Sequence, residues 1–304
     1  MERSFRIADH IVRITTTANI DCLQLLPSFQ SFVTTAKAEK TSLFSIVIDD
    51  DTKPIAKDQR QHIHNYDTGN GIITVDEDAN GHYQFIINNI NGMPCALLVA
   101  TKDFSQCRCA LNGDYNMRCY GLNSVMMLAF AGAGAARETL LFHASLVRQD
   151  GVGYAFTAKS GTGKSTQTAN WLRYLPGCDL MNDDNPIVRI VNGSVMIYGS
   201  PRSGKTPCYR NICAPLGAMT QIERAKTNSV DKLEPLDALL KLLPAISSMK
   251  WDKDIYGKQC DTLTKMIGLI DCYTLHCLPD RESAIVCNRI IKKQSCPEDR
   301  SPEI

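Results

Sequence analysis

What this chain lacks sets its first bounds. It has almost no net charge: 33 Lys and Arg against 32 Asp and Glu leave +1. No global field therefore advertises a nucleic-acid or membrane partner, and an acidic substrate must be held by local charge. It has no apolar run long enough to cross a bilayer; the longest apolar-rich stretch, Val125 to Ala136, reads as a buried helix rich in small residues. The start, Met1-Glu2-Arg3-Ser4-Phe5-Arg6, lacks the apolar segment of a signal peptide. Internal repeats and low-complexity tracts are absent too. Cysteine is the exception to this restraint, at thirteen. Without an export signal these read as reduced thiols of a cytoplasmic protein. Cys107-Arg108-Cys109 with Cys119 comes nearest to a metal cluster, but a second spaced pair and nearby histidines are missing.

What is present describes an ordinary folded chain. At 304 residues, 44% hydrophobic and 21% charged, it can bury a sizeable core and divides most naturally into two domains. The expected fold is α/β: a mixed-sheet domain over residues 116–295, preceded by a smaller, mainly β module over 1–115, with a frayed polar tail at 296–304.

In the first module short β-prone runs alternate with turn residues. Phe5 to Ile7 and Ile11 to Ile14 suggest paired strands around Asp9-His10. Leu43 to Ile48, Gly71 to Val75, His82 to Ile87, Ala96 to Ala100 and Cys107 to Leu111 continue the series, with Asn80-Gly81 as a hairpin signal. Leu23 to Ala38 is less β-like and reads as a short helix. His62-Ile63-His64 would put two imidazoles on one face of a strand, but no third ligand follows at an obvious spacing. The polar surroundings favour an exposed loop.

The texture changes after residue 115. Leu122 to Arg137 reads as a close-packing helix and Leu140 to Val147 as a buried strand. Later strands are expected at Leu180 to Asp184, at Ile187 to Val191 and Val195 to Tyr198 across Asn192-Gly193, at Ala218 to Glu223 and at Tyr273 to Leu278. Helices are expected at Leu236 to Leu243 and Thr262 to Asp271, with Asp280 capping a last one to about Ile291.

The chemistry centres on Val152 to Thr166. An apolar β-prone run enters the turn Ala158-Lys159-Ser160-Gly161-Thr162-Gly163, and Lys164-Ser165-Thr166 opens a helix-forming segment. Such a turn points backbone N–H groups into one concavity at the positive end of a helix, which suits a polyphosphate. Ser160, Gly161, Thr162, Gly163 and Thr166 would form the cradle, Lys164 would place a charge near the β- and γ-phosphates, and the Ser165 hydroxyl would ligate Mg2+. The full phosphate-loop pattern has glycine where this chain has Ala158.

Phosphoryl transfer also needs a metal-binding acid and an aligned hydroxyl. Asp183 and Asp184 follow the loop at a suitable distance: one for the metal shell, the other to take a proton. Ser165 with Asp183 is the expected metal pair and Asp184 the expected base. Adjacent strand residues point to opposite sides, so both serve one site only if the strand ends there; Asn185-Pro186 supplies such an ending. His143 is the one histidine in an apolar run of this half. A strand histidine is more often a core residue, but its strand should neighbour the one feeding the loop. Arg202 and Lys205 lie in a basic loop, Gly199 to Pro207, that reads equally as a solvated face or as a contact for phosphate or an acidic substrate. Arg210 is a weaker candidate.

Phe142-His143-Ala144-Ser145-Leu146-Val147, Gly151-Val152-Gly153, Ser160 to Ser165 and Asn182-Asp183-Asp184 together resemble the C-terminal domain of HPr kinase/phosphorylase, in which a strand histidine precedes the phosphate loop and an Asp-Asp pair follows it. The resemblance covers roughly Leu140 to Pro207, more loosely to Arg289. The Ser-Gly-Thr-Gly-Lys-Ser core is also similar to ATP-dependent phosphoenolpyruvate carboxykinase, a longer enzyme of related nucleotide-binding fold. The resemblance implies a P-loop kinase domain using ATP and Mg2+, with His143 beside the acid pair and a serine hydroxyl of a protein or peptide as acceptor. The loop at Arg202 to Lys205 is similar to the family's Pro-x-x-Pro-Gly-Arg loop, with Ser203 and Lys205 replacing the second proline and the arginine. The glycine-rich segment tied to phosphorylase activity is not recognisable between Val191 and Tyr209, so the reverse reaction is not carried over. The N-terminal module would then help define the acceptor or a homo-oligomer contact. Loss of catalysis, leaving a nucleotide-binding regulatory module, and small-molecule chemistry of the carboxykinase kind are the alternatives.

Overall fold

Tight turns at left-handed backbone positions join several strands of the N-terminal third. Ala8 and Asp9 carry φ of 47° and 60°, and Gly81 one of 78°. The first of these turns joins β1 (Glu2–Ile7) to β2 (His10–Thr16). The computed structural model describes residues 1–17, 21–35, 42–204 and 206–292. After β2 come a single helical turn, α1 (Cys22–Leu25), a 3-10 segment at Pro27–Phe32, and the two-residue β3 (Val33–Thr34). The helix expected from Leu23 to Ala38 is thus broken at Pro27, which has no N–H to continue it; residues 36 to 38 lie outside the described residues. The sheet is completed by β4 (Phe44–Ile48), β5 (Arg60–Asp67), β6 (Ile72–Asp78), β7 (Tyr83–Asn88), β8 (Pro94–Ala100) and β9 (Gln106–Leu111). Its order is β3-β1-β2-β4-β9-β8-β7-β6-β5, mixed because β4 runs parallel to β2 and β9.

His62-Ile63-His64 lies in β5, not in a loop. The register shifts between His62 and His64. His62 Nδ1 lies 3.0 Å from Asp76 Oδ1, and the His64 ring meets Tyr66 edge-on. Cys107 and Cys109 are buried on β9.

One long helix, α2 (Tyr115–Ala135), closes this sheet's core. It starts seven residues before the expected Leu122, because Asp114 caps it: Asp114 Oδ1 accepts from Met117 N at 2.9 Å. A side chain at Gly121 would bring its Cβ within 2.8 Å of the Cys95 carbonyl oxygen, so glycine is what lets the helix lie against β8.

The second sheet is also mixed. Its strands are β10 (Thr139–Leu141), β11 (Ala144–Gln149), β12 (Val152–Thr157), β13 (Cys178–Asp184), β14 (Ile187–Val191), β15 (Ser194–Tyr198), β16 (Cys213–Arg224), β17 (Ser229–Lys232) and β18 (Asp271–Cys277). The order is β10-β14-β15-β16-β12-β11-β13, with β18 pairing β16 and β17 pairing β18. The twelve-residue β16 reaches further than expected and runs parallel to both β12 and β18. The helices are α3 (Lys164–Tyr174), α4 (Pro235–Leu242), α5 (Lys253–Leu269) and α6 (Arg281–Ile291). α5 begins nine residues before the expected Thr262, capped by Asp252, whose Oδ1 accepts from Ile255 N. Trp171 of α3 is fully buried, its ring centroid 5.3 Å from those of Tyr154 and Phe156 on β12. Burial of that kind stabilises by roughly 2–3 kcal/mol and fixes the helix behind the loop it follows. Among the described residues no helix is long and apolar enough to cross a membrane.

Candidate active site

The loop between β12 and α3 is built as its glycines require. Gly161 has φ of 76° and Gly163 of 135°, and a Cβ at either would meet nothing within 4 Å. Backbone conformation, not crowding, demands glycine there, and the space above both is open to a ligand. Ala158 is not among the residues with positive φ, so its side chain costs the turn nothing. Thr162 N donates to Lys159 O at 3.1 Å, and Ser160 and Thr166 are exposed on the loop and the first turn of α3. Arg224, at the end of β16, clips the loop from outside: its Nη2 donates to Gly161 O at 2.5 Å and its Nε to Thr162 O at 3.2 Å. Beside the loop opens a cleft of about 310 Å3, walled by Thr162, Thr166, Ile222, Arg224, Leu278 and Pro279.

The expected strand from Leu140 to Val147 is in fact two. β10 ends at Leu141 and β11 begins at Ala144 in a different part of the sheet. The break is held from outside, Phe142 N donating to Pro186 O and His143 N to Ala245 O. It frees the His143 side chain, 47% exposed, from the core and aims it at the site. Lys164 Nζ donates to His143 Nε2 at 2.8 Å, and His143 Nδ1 lies 2.8 Å from Asp184 Oδ1. A protonated Nε2 would face the ammonium donor to donor. The tautomer that satisfies both contacts therefore carries its proton on Nδ1 and donates it to Asp184.

The two carboxylates occupy different surroundings. Asp183 is buried: Ser145 Oγ donates to its Oδ1 at 2.6 Å, Ser165 Oγ at 3.3 Å, and Thr206 N to its Oδ2 at 3.3 Å. Asp184 is partly open, and Asn185 Nδ2 donates to its Oδ2 at 2.5 Å. At Asp184 β13 ends with φ of 120°, a backbone rarely adopted by side-chain-bearing residues. The strand therefore stops at the second of the two carboxylates. Burial works to raise the Asp184 carboxyl. The His143 hydrogen bond, with the charges of Arg202 and Lys164, outweighs it and holds the group below its ordinary range. Burial pushes the Lys164 ammonium down, against the pull of Asp184 and Asp183.

The loop after β15 is pinned to this pair. Asn182 Oδ1 accepts from Asn185 N at 2.9 Å while its Nδ2 donates to Arg202 O at 2.8 Å, and Ser203 Oγ donates to Asp183 O at 3.0 Å. Arg202 is directed toward α2, its Nη1 donating to Asn123 O at 2.8 Å; burial lowers its pKa, with Asp184 acting the other way. Lys205 lies outside the described residues. Arg210 is engaged by Asp179 at the far end of β13, at 2.5 Å, and takes no part. Ser145 and Arg224 were given no role by sequence, and Ser203 was named only as the replacement for a loop proline. Ser145 carried a signal too, falling two residues after His143.

These donors fit the groups that such a loop implies. Ser165 Oγ and Asp183 offer hard oxygens close together, donors of the kind Mg2+ takes when phosphate and water complete its shell.

No protein-family model and no curated protein matches the sequence of this chain. Among solved structures, it is similar to the Hpr(Ser) kinase/phosphatase from Coxiella burnetii, over 50% of this chain and 93% of that one, with 10% sequence identity and a TM-score of 0.30.

Proposed function

We propose that this protein is an ATP- and Mg2+-dependent phosphotransferase that moves the γ-phosphate to a hydroxyl, serine on a protein or peptide. The observation that carries the reading is the convergence of Lys164 and Ser165 with His143, from the break between β10 and β11, and with Asp183 and Asp184, from the end of β13, linked by hydrogen bonds of 2.8 to 3.3 Å. Loop N–H groups and Lys164 bind the phosphates, and the cleft beside Arg224 has room for the nucleoside. Bound through Ser165 and Asp183, Mg2+ supplies charge neutralisation at the phosphates.

Asp184 holds the proton-accepting position. Its carboxylate is ionised at neutral pH and takes the proton of the acceptor hydroxyl as the new oxygen–phosphorus bond forms and the bond from the γ-phosphorus to the bridging oxygen breaks, releasing ADP. His143 orients that carboxylate through Nδ1–H. Asp183, tied to Ser145 and Thr206, stays fixed.

The test is to incubate the protein with γ-labelled ATP and cell extract. Label on a protein supports the reading. Tight ATP binding with neither label nor hydrolysis would replace it with a regulatory nucleotide-binding module. Label on a small acid would replace it with carboxykinase-like chemistry.

A further inference from the structure

A cavity of about 510 Å3, which the chemistry above leaves unused, lies between the N-terminal elements and the loop that carries Arg202. Leu25 and Pro27 line it on one side, Asn123 of α2 on another, and Arg202, Ser203 and Tyr209 on the third. Its volume is that of a small-ligand or side-chain pocket. Two features give it a chemistry. Arg202 is the one charged residue among its described lining, and the hydrogen bond from its Nη1 to Asn123 O leaves part of its guanidinium fork unused among the described residues. An oxyanion is the acceptor whose geometry matches that planar fork. The remaining walls, Leu25, Pro27 and Tyr209, are mostly apolar. The cavity also adjoins the reacting groups through its own wall: Ser203 pairs with Asp184 in an isolated β-bridge and donates to Asp183 O.

We propose that this cavity receives the phosphate acceptor, and that the acceptor is a serine-bearing peptide segment with an acidic side chain near the serine, its carboxylate seated on Arg202. The inference rests on the phosphotransferase reading, and two measurements keep their failures apart. The first needs no catalysis. Cys119 also lines the cavity, so its alkylation by iodoacetate, an anion, is compared with that by neutral iodoacetamide and mapped by peptide mass. The expected ratio favours iodoacetate several-fold over the ratio in Arg202→Gln. Tyr209→Glu, which sets a carboxylate at the half-exposed rim, should abolish the preference in the same way and serves if the buried arginine variant does not fold. An unchanged ratio in the folded variants overturns the oxyanion site.

The second measurement follows label from γ-labelled ATP to synthetic serine peptides that scan Asp, Asn and Lys through the positions flanking the serine. Preference for Asp at one position, lost in Tyr209→Glu, supports the proposal. Transfer indifferent to charge, or favouring Lys, overturns it and leaves the phosphotransferase standing. No transfer to any peptide, with the iodoacetate preference intact, overturns the acceptor role and leaves a site for free oxyanions such as inorganic phosphate.

Discussion

Replacing Asp184 by asparagine should separate the roles of two adjacent carboxylates. The side chains have the same shape, and an Asn Oδ1 can still accept from His143 Nδ1, whose contact is 2.8 Å in the parent. What changes is the other oxygen: an amide there meets Asn185 Nδ2 donor to donor, where the parent has a hydrogen bond at 2.5 Å. The loss of one charge-assisted hydrogen bond costs about 1–3 kcal/mol, so the variant should fold. Turnover should fall far more. Removing the proton acceptor costs about 10²–10⁴-fold, or roughly 2.7–5.5 kcal/mol of barrier. Nucleotide affinity should stay within a few-fold, since Asp184 touches neither Ser165 nor the loop. Asp183→Asn should do the reverse: the Mg2+-dependent part of nucleotide affinity falls first, because Ser145 and Ser165 both direct hydroxyls at that carboxylate. The assays are nucleotide titration with and without Mg2+, and single-turnover loss of label from γ-labelled ATP. Undiminished turnover in Asp184→Asn, or the same ratio of affinity loss to turnover loss in both variants, would refute the division of labour.

Four further outcomes follow from the same contacts. The Asp184 carboxyl sits below its ordinary 3.8, so its contribution to stability is fully present above that value and lost as pH falls through the folded value; in denaturant titrations the gap between parent and Asp184→Asn should be constant near neutrality and close in acid. Lys164→Ala should abolish measurable ATP binding or turnover, and full affinity with full activity would remove the loop from the site. Arg224→Ala unclips two loop carbonyls and should weaken nucleotide binding by roughly two- to tenfold, about the worth of one hydrogen bond, with turnover at saturating nucleotide unchanged. Gly163→Ala forces a side chain to φ of 135° and should cost about 1–3 kcal/mol of loop geometry, read as lost nucleotide affinity, whereas Ala158→Gly should gain none.

The parts legible in the sequence were those written in local chemistry. Asn80-Gly81 and Asn192-Gly193 fix their hairpins through backbone that only a few residue types accept. Gly161, Gly163, Lys164 and Ser165 make a loop whose shape depends on neighbours no more than a few positions away. The break at His143 was not legible. Apart from His143, Leu140 to Val147 is buried on both sides of its chain, so no periodicity marks the point where β10 gives way to β11, and the bend is imposed by Pro186 and Ala245 from elsewhere. The starts of α2 and α5 were missed for a different reason. Their first residues, Tyr115-Asn116 and Lys253-Asp254, are exposed and carry no apolar pattern; only the caps Asp114 and Asp252 announced them. Arg224 and Ser145 act through partners 62 or 63 and 38 residues away, a distance that no motif spans.

Gly121 has a reach beyond its own helix. It stands two residues before Asn123, whose carbonyl holds the Arg202 guanidinium, and a Cβ there would strike the Cys95 carbonyl at 2.8 Å. Any heavier residue would lift α2 off the sheet by tenths of an ångström and carry that displacement into Arg202. A substitution at position 121 should therefore cost stability and displace the Arg202 guanidinium together, coupling the packing of the first sheet to the loop that carries Arg202.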